Sequence, residues 1–211
     1  MIVAKCIIKL FRNGIFLQQT SRFGRIAEIM IQKKYHFSKP PVKTTKYDLW
    51  DGNVNQRIEV KFSTVREKNN ERITESTIVN QCLVAKFQNK PIAYAHRELK
   101  CFDRNIEQVK TGEFDILYYG LFFWDKILIF RIDTAGISAI PGWSSKMHRG
   151  KANKYIEGQF HITNDNVQHH IDNYLIDTLT YKQLYELVTP YENMRVLLDA
   201  LLKEVKRIWK H

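Results

Sequence analysis

Acidic residues are what this chain has least of relative to its needs. Asp and Glu number 22 against 33 Lys and Arg over 211 residues, a formal net charge of +11. The imbalance argues against cationic partners and fits a polyanion, because Lys and Arg that neutralise phosphates release condensed counterions. Charge alone fits Lys-rich solvated faces equally well. Cysteine is also scarce: Cys6, Cys82 and Cys101 stand far apart, with no CxxC and no Cys/His pair at ligand spacing. That argues against a disulfide framework and a structural zinc site, and it points to a reducing cytoplasm. Long apolar runs are missing as well, since no stretch reaches the roughly 18 to 20 uninterrupted apolar residues of a membrane span. The opening MIVAKCIIKLF is broken by Lys5 and Lys9 and reads as a first strand or buried helix rather than a targeting segment. Internal repeats and low-complexity tracts are absent too. What remains, 44% hydrophobic and 12% aromatic residues, suffices to bury one core, so residues 1–211 are expected to form a single domain.

Helical spacing appears first over residues 21–35. Phe23, Ile26, Ala27, Met30 and Lys34 share a face, Ser21 stands at the start as a cap, and Glu28 lies off the stripe. SKPPVKTT then breaks the helix. TKYDLW and RIEVKFS read as two strands around DGNVNQ, a hairpin whose second strand puts Ile58, Val60 and Phe62 on one face and Glu59, Lys61 and Ser63 on the other. Residues 64–76 read as a polar loop, and TIVNQCLVAKF is ambiguous between helix and buried strand. RELKCFDRNIEQVK reads as a helix closed by Thr111 and Gly112. FDILYYGLFF and KILIFRI, the most apolar and β-branched runs, should be central strands. Residues 136–158 are irregular and basic, 165–188 fit one or two helices, and Tyr191 to Trp209 patterns as an amphipathic terminal helix. The order predicts an α/β (or α+β) layer arrangement.

One pattern carries chemistry. Two acids and a lysine on adjoining strands suit phosphodiester hydrolysis: carboxylates supply hard oxygens to magnesium, and an ammonium orients water or offsets phosphate charge. Asp48, Glu59 and Lys61 fit these roles. Glu-x-Lys recurs at Glu98-Leu99-Lys100 and Glu204-Val205-Lys206, but on helical patterns, where residues two apart do not share a face. Geometry adds a condition. A two-residue turn at Asp51-Gly52 would set Asp48 opposite Asn55 and leave Glu59 roughly 13 Å away. A wider connection spanning residues 51–56 sets Asp48 opposite Glu59 and Trp50 opposite Arg57. Asp51 itself reads as a turn residue.

Taken together, Glu28 on the first helix, YDLWDG with Asp48, IEVK with Glu59 and Lys61, and the following FDILYYG strand resemble the PD-(D/E)xK nuclease superfamily, in particular type II restriction endonucleases. The resemblance covers about residues 20–132, with Tyr47 where the name-giving proline would stand. It implies a restriction-endonuclease-like core, a central mixed β-sheet flanked by α-helices, with residues 133–211 left for recognition loops and C-terminal helices. It implies magnesium bound by Asp48 and Glu59, water assisted by Lys61, and hydrolysis to 5′-phosphate and 3′-hydroxyl ends. It leaves Glu28 as either a contributor to the metal site or a solvated helix glutamate.

Double-stranded DNA is the expected partner, and a homodimer the expected form, because cutting both strands of a symmetric site calls for two active sites related by a twofold. Lys43, Lys46, Lys146, His148, Arg149, Lys151 and Lys154 are candidate DNA contacts, the last five on a basic loop that could equally be charge dressing. His161, His169 and His170 lack zinc spacing. Tyr118, Tyr119, Phe122, Phe123 and Trp124 read as sheet core, and LTYKQLYEL as packing rather than a helix-turn-helix. Two other readings stay open: a structure-directed nuclease, and a basic DNA-binding protein without catalysis.

Overall fold

The most apolar run of the chain lies where burial is deepest. A computed structural model describes residues 2–67, 74–76, 79, 90–145 and 157–189, with side chains from residue 5 onward. Its elements run α1 (Ile2–Phe16), α2 (Thr20–Tyr35), β1 (Leu49–Asp51), β2 (Gln56–Thr64), β3 (Asp103–Val109), β4 (Ile116–Phe122), β5 (Ile127–Asp133), β6 (Gly158–Thr163), α3 (Val167–Tyr174), β7 (Leu175–Leu179) and α4 (Tyr181–Val188). Five strands form a mixed sheet in the order β1-β2-β4-β5-β7. β2 and β4 are parallel, and the other pairings are antiparallel. Every residue of β4 is buried, as expected of a strand covered on both faces.

Alternation along the strands splits the core in two. On one face Ile58, Val60, Ile116, Tyr118 and Phe122 pack with Ile15 and Phe16 of α1, Phe23, Ala27, Met30 and Ile31 of α2, and Tyr181 and Leu184 of α4. On the other, Leu117, Tyr119, Leu121, Leu128 and Phe130 meet a second, two-stranded sheet of β3 and β6 through Ile106, Val109, Phe160 and Ile162, with Val167 of α3 beside them. The result is an α/β arrangement, a central mixed sheet flanked by helices. No described helix is long and apolar enough to cross a membrane.

Several expectations are corrected. The opening run is a helix, not a strand, and it is not buried all round: Lys5, Cys6, Lys9 and Leu10 are exposed. Ser21 does not cap α2, which begins at Thr20 after Gln19. Residues 97–110 do not form a helix; Tyr94–His96 is a short 3-10 turn, and Asp103–Val109 pairs with β6. The misleading signal was the three-residue spacing of Ile106 and Val109. A bulge between them, with Gln108 at φ 58°, turns both side chains into the core, so a strand imitates helical spacing. Residues 165–188 hold two helices with β7 between them, because β5 has an open side that the Leu175–Leu179 segment pairs. Helix α4 then starts at a capping box formed by Thr180 and Gln183, a start signal legible in the sequence. Residues 77–87, apart from 79, and the terminal segment from 190 onward lie outside the described residues.

His170 is fully buried against Tyr119, Phe130 and Phe160, and its Nδ1 lies 2.9 Å from the Tyr119 hydroxyl. Burial first, then neighbouring His169, pushes its pKa down to about 4. The native state therefore stays neutral at His170 while the unfolded chain takes up a proton below the ordinary value near 6.5. This contribution is intact above about pH 6.5 and is lost as the pH falls toward 4, by up to roughly 3 kcal/mol. Glu59 works in the opposite sense, so the comparison must be between proteins. Urea midpoints at pH 7.5 and 4.5 should fall more steeply for the wild type than for His170→Gln; equal slopes would remove His170 from the acid response.

Candidate active site

Backbone pairing decides whether the acids meet. Leu49 pairs with Ile58, Trp50 with Arg57 and Asp51 with Gln56, so the register continued by one residue faces Asp48 with Glu59. The tight Asp51-Gly52 turn is not formed. Residues 52–55 make the loop, Asn55 adopts φ 59°, and Asp51 accepts the Asn53 N–H at 3.0 Å, the turn role expected of it.

Asp48 grips both neighbours of Glu59. Its N–H donates to the Ile58 carbonyl at 3.0 Å, and its Oδ2 accepts the Val60 N–H at 2.9 Å. A side-chain carboxylate thus takes over the ladder where β1 has not yet begun. Its other oxygen, Oδ1, has no hydrogen-bond partner among the described residues.

Glu59 and Lys61 emerge on the face shared with Leu117 and Tyr119 of β4, their partners in register. Glu59 is the one buried carboxylate among the described residues, at 8% exposure, and Lys61 Nζ lies 2.6 Å from its Oε1. Burial chiefly, then the charge of Asp48, lifts the Glu59 pKa to about 7 against the pull of Lys61. Burial alone would lower the Lys61 pKa, but Glu59, then Asp48 and Glu28, outweigh it and hold the ammonium above its usual range. Lys61 is therefore charged at neutral pH.

Glu28 is half-buried on α2 and paired with Arg25. Burial raises its pKa, the Arg25 hydrogen bond opposes, and the Asp48 charge raises it further, with Lys61 pulling it down. The structure therefore brings Glu28, Asp48, Glu59 and Lys61 into one electrostatic group, and Glu28 is not a freely solvated helix glutamate.

This chemistry fits magnesium. Asp48 Oδ1 and the Glu59 carboxylate are hard oxygens at one place, and magnesium keeps several waters while taking one or two carboxylates. Among the described residues no three His, Cys, Asp or Glu side chains form a ready-made cage, and Asp48 and Glu59 are the carboxylates that could hold a cation here. Below about pH 7 it would have to displace a proton from Glu59.

Other candidates fall differently. Lys43 and Lys46 are exposed on the loop that delivers Asp48. Lys146, His148, Arg149, Lys151 and Lys154 lie outside the described residues. His161 bonds to Asp103 at 2.5 Å rather than to a metal set. Tyr118, Tyr119, Phe122 and Phe123 are core, and α4 packs on α1 and α2. Glu98 and Lys100 sit in a turn, not a helix, and pair with Arg97 and Glu67.

Two participants escaped the sequence reading. Lys110, just past β3, bears on the charge of Glu59 while pairing with Glu113 at 3.8 Å and Glu157 at 3.6 Å. Arg57 makes a two-pronged contact with Asp115, at 3.0 and 2.7 Å, that ties the start of β2 to the start of β4. No local pattern in Asp103–Val109 marks a strand, since only Ile106 and Val109 are buried and they stand three apart, so Lys110 could not be placed. No protein-family model and no curated protein sequence matches this chain.

Proposed function

We propose that this chain is a magnesium-dependent, sequence-specific endonuclease of double-stranded DNA, with a restriction-endonuclease-like core of the PD-(D/E)xK kind, acting in the cytoplasm as a homodimer. The observation that carries the reading is the register that faces Asp48 with Glu59 at the sheet edge while Lys61 shares the Glu59 face. In a chain with eleven surplus positive charges, acids gathered at one point would repel DNA unless a cation stood between them.

Magnesium bound by Asp48 and Glu59 would supply charge stabilisation to the phosphate and a more acidic water. Asp48 keeps Glu59 in place through the backbone on either side of it. Lys61, being protonated, acts as a donor, holding the phosphate oxygen or the attacking water rather than taking the first proton. Glu28 reinforces the positive charge of Lys61.

Incubation of purified protein with phage DNA, with magnesium or with EDTA, tests the reading. Discrete bands in magnesium alone are expected. A preference for branched substrates would move the assignment to a structure-directed nuclease. Tight binding without cleavage of any DNA form would reduce the Lys61–Glu59 contact to an ordinary salt bridge and end the enzymatic reading.

A further inference from the structure

Trp50 stands on the same side of the sheet as the acids. Opposed residues of an antiparallel pair point to one side, and Trp50 is opposite Arg57, two positions before Glu59. Its neighbour Leu49 points the other way and is buried with Ile58 among the helices. The Trp50 ring lies 6.2 Å from that of Tyr47, which packs on the core beneath the second sheet. Two positions of extended backbone separate Trp50 from Asp48, roughly 7 Å at the usual rise.

The body of this side chain is half-buried, but its polar tip is open. Nε1 has no hydrogen-bond partner among the described residues, and it is not enclosed, so its N–H faces solvent. Gly52 keeps the approach clear. It is exposed on the loop after β1, and a Cβ there would stand 3.7 Å from Nε1 and 3.8 Å from Cδ1. The backbone does not require glycine at this position, because its φ lies outside the left-handed region. What the missing side chain leaves is room in front of the N–H. The charged group opposite Trp50 is already committed, since Arg57 holds Asp115 with two hydrogen bonds. An indole N–H only donates, so its complement is an acceptor.

We infer that Trp50 donates its indole N–H to a phosphate oxygen of the DNA backbone beside the reactive phosphate held at Asp48 and Glu59. One strand of duplex DNA carries a phosphate per 3.4 Å of axis, so a separation of roughly 7 Å places this contact within about two nucleotides of the cut. Phosphate oxygens take a large share of protein–DNA hydrogen bonds, from neutral donors as well as from Lys and Arg, and such contacts fix the register of the backbone. A neutral donor anchors the strand without adding charge next to the metal site. The inference rests on the nuclease reading for the position of the reactive phosphate, but its test does not.

The test measures binding of a short labelled duplex in EDTA, where nothing is cut, across a range of salt. Trp50→Phe keeps a ring and removes the N–H; it should melt close to the wild type and bind about tenfold more weakly. The slope of log affinity against log salt should stay as in the wild type, because a neutral donor releases no counterion. Gly52→Val, which sets a side chain in front of the N–H, should weaken binding in the same way. Wild-type affinity in a folded Trp50→Phe overturns the contact, and if Trp50→Ala alone is weak, the ring stacks on a base and the donor assignment falls. Should Trp50→Phe fail to melt cooperatively, Gly52→Val decides by the same criterion. Weakened binding by Trp50→Phe in a protein that never cuts keeps the contact and sinks the nuclease; Lys61-dependent cutting with unchanged binding does the reverse.

Discussion

Lys61→Ala loses at least about a hundredfold in DNA cleavage while binding DNA within about tenfold of the wild type. The asymmetry follows from where the ammonium stands. It is 2.6 Å from Glu59 and only a quarter exposed, so it contributes little to long-range attraction of DNA and much to charge at the reacting phosphate. Lys61→Arg should not rescue, since a planar fork cannot take the position of a compact ammonium against a buried carboxylate. Asp48→Asn makes the complementary case. An amide oxygen can still accept the Val60 N–H, so the fold and the register survive, but the charge needed for magnesium is gone. The expected outcome is a protein that melts close to the wild type and does not cut. Plasmid relaxation assays in magnesium check both variants. A Lys61→Ala protein that cuts at the wild-type rate removes the site.

Gly120→Ala should cost at least about 3 kcal/mol and leave most of the protein insoluble or unfolded at growth temperature. β4 lies between β2 and β5, and a methyl group at Gly120 would come 2.1 Å from the Leu128 carbonyl oxygen and 2.4 Å from the Phe62 ring. Phe62 could turn; the carbonyl cannot retreat without opening the β4–β5 ladder. Gly120 also follows Tyr119, the register partner of Lys61, so any strain that is tolerated is passed to β2, which carries Glu59 and Lys61. Urea unfolding gives the measurement. A Gly120→Ala protein within about 1 kcal/mol of the wild type would mean that β4 sits farther from β5 than described.

The sequence made the site more legible than the frame around it, for a physical reason. The hairpin is local, so the sequence left only two registers to weigh, a tight Asp51-Gly52 turn and a wider loop; turn chemistry favoured the first, and the requirement that Asp48 face Glu59 pointed to the second, which pairs Trp50 with Arg57. The apolar runs at 114–123 and 126–132 were equally plain, because strands buried on both faces need no partner to look like strands. β3 and β7 were not legible. Each owes its strand form to a distant partner: β3 to β6 some fifty residues on, and β7 to the open side of β5. Neither partner contributes to the local pattern, and the bulge at Gln108 disguised β3 further. Lys110 was lost with β3, since its bearing on Glu59 exists only once the second sheet is laid across β2.

The brevity of β1 has a cost that falls on the molecule's behaviour in crowded solution. Beyond Ile58 no described strand pairs with β2 on that side, so the strand that carries Glu59 and Lys61 is a sheet margin there. Such a margin can take up the extended backbone of another protein molecule, which is how unintended association begins. Asp48 blocks part of that margin by occupying the Val60 N–H, and the charges of Glu59 and Lys61 penalise a protein strand that carries no matching charge. The residues proposed for chemistry thus also stand at the one place where this margin is left unpaired by a described strand. Truncating them to alanine is therefore expected to raise self-association along this margin, whereas Asp48→Asn, which keeps the Val60 N–H occupied, is not.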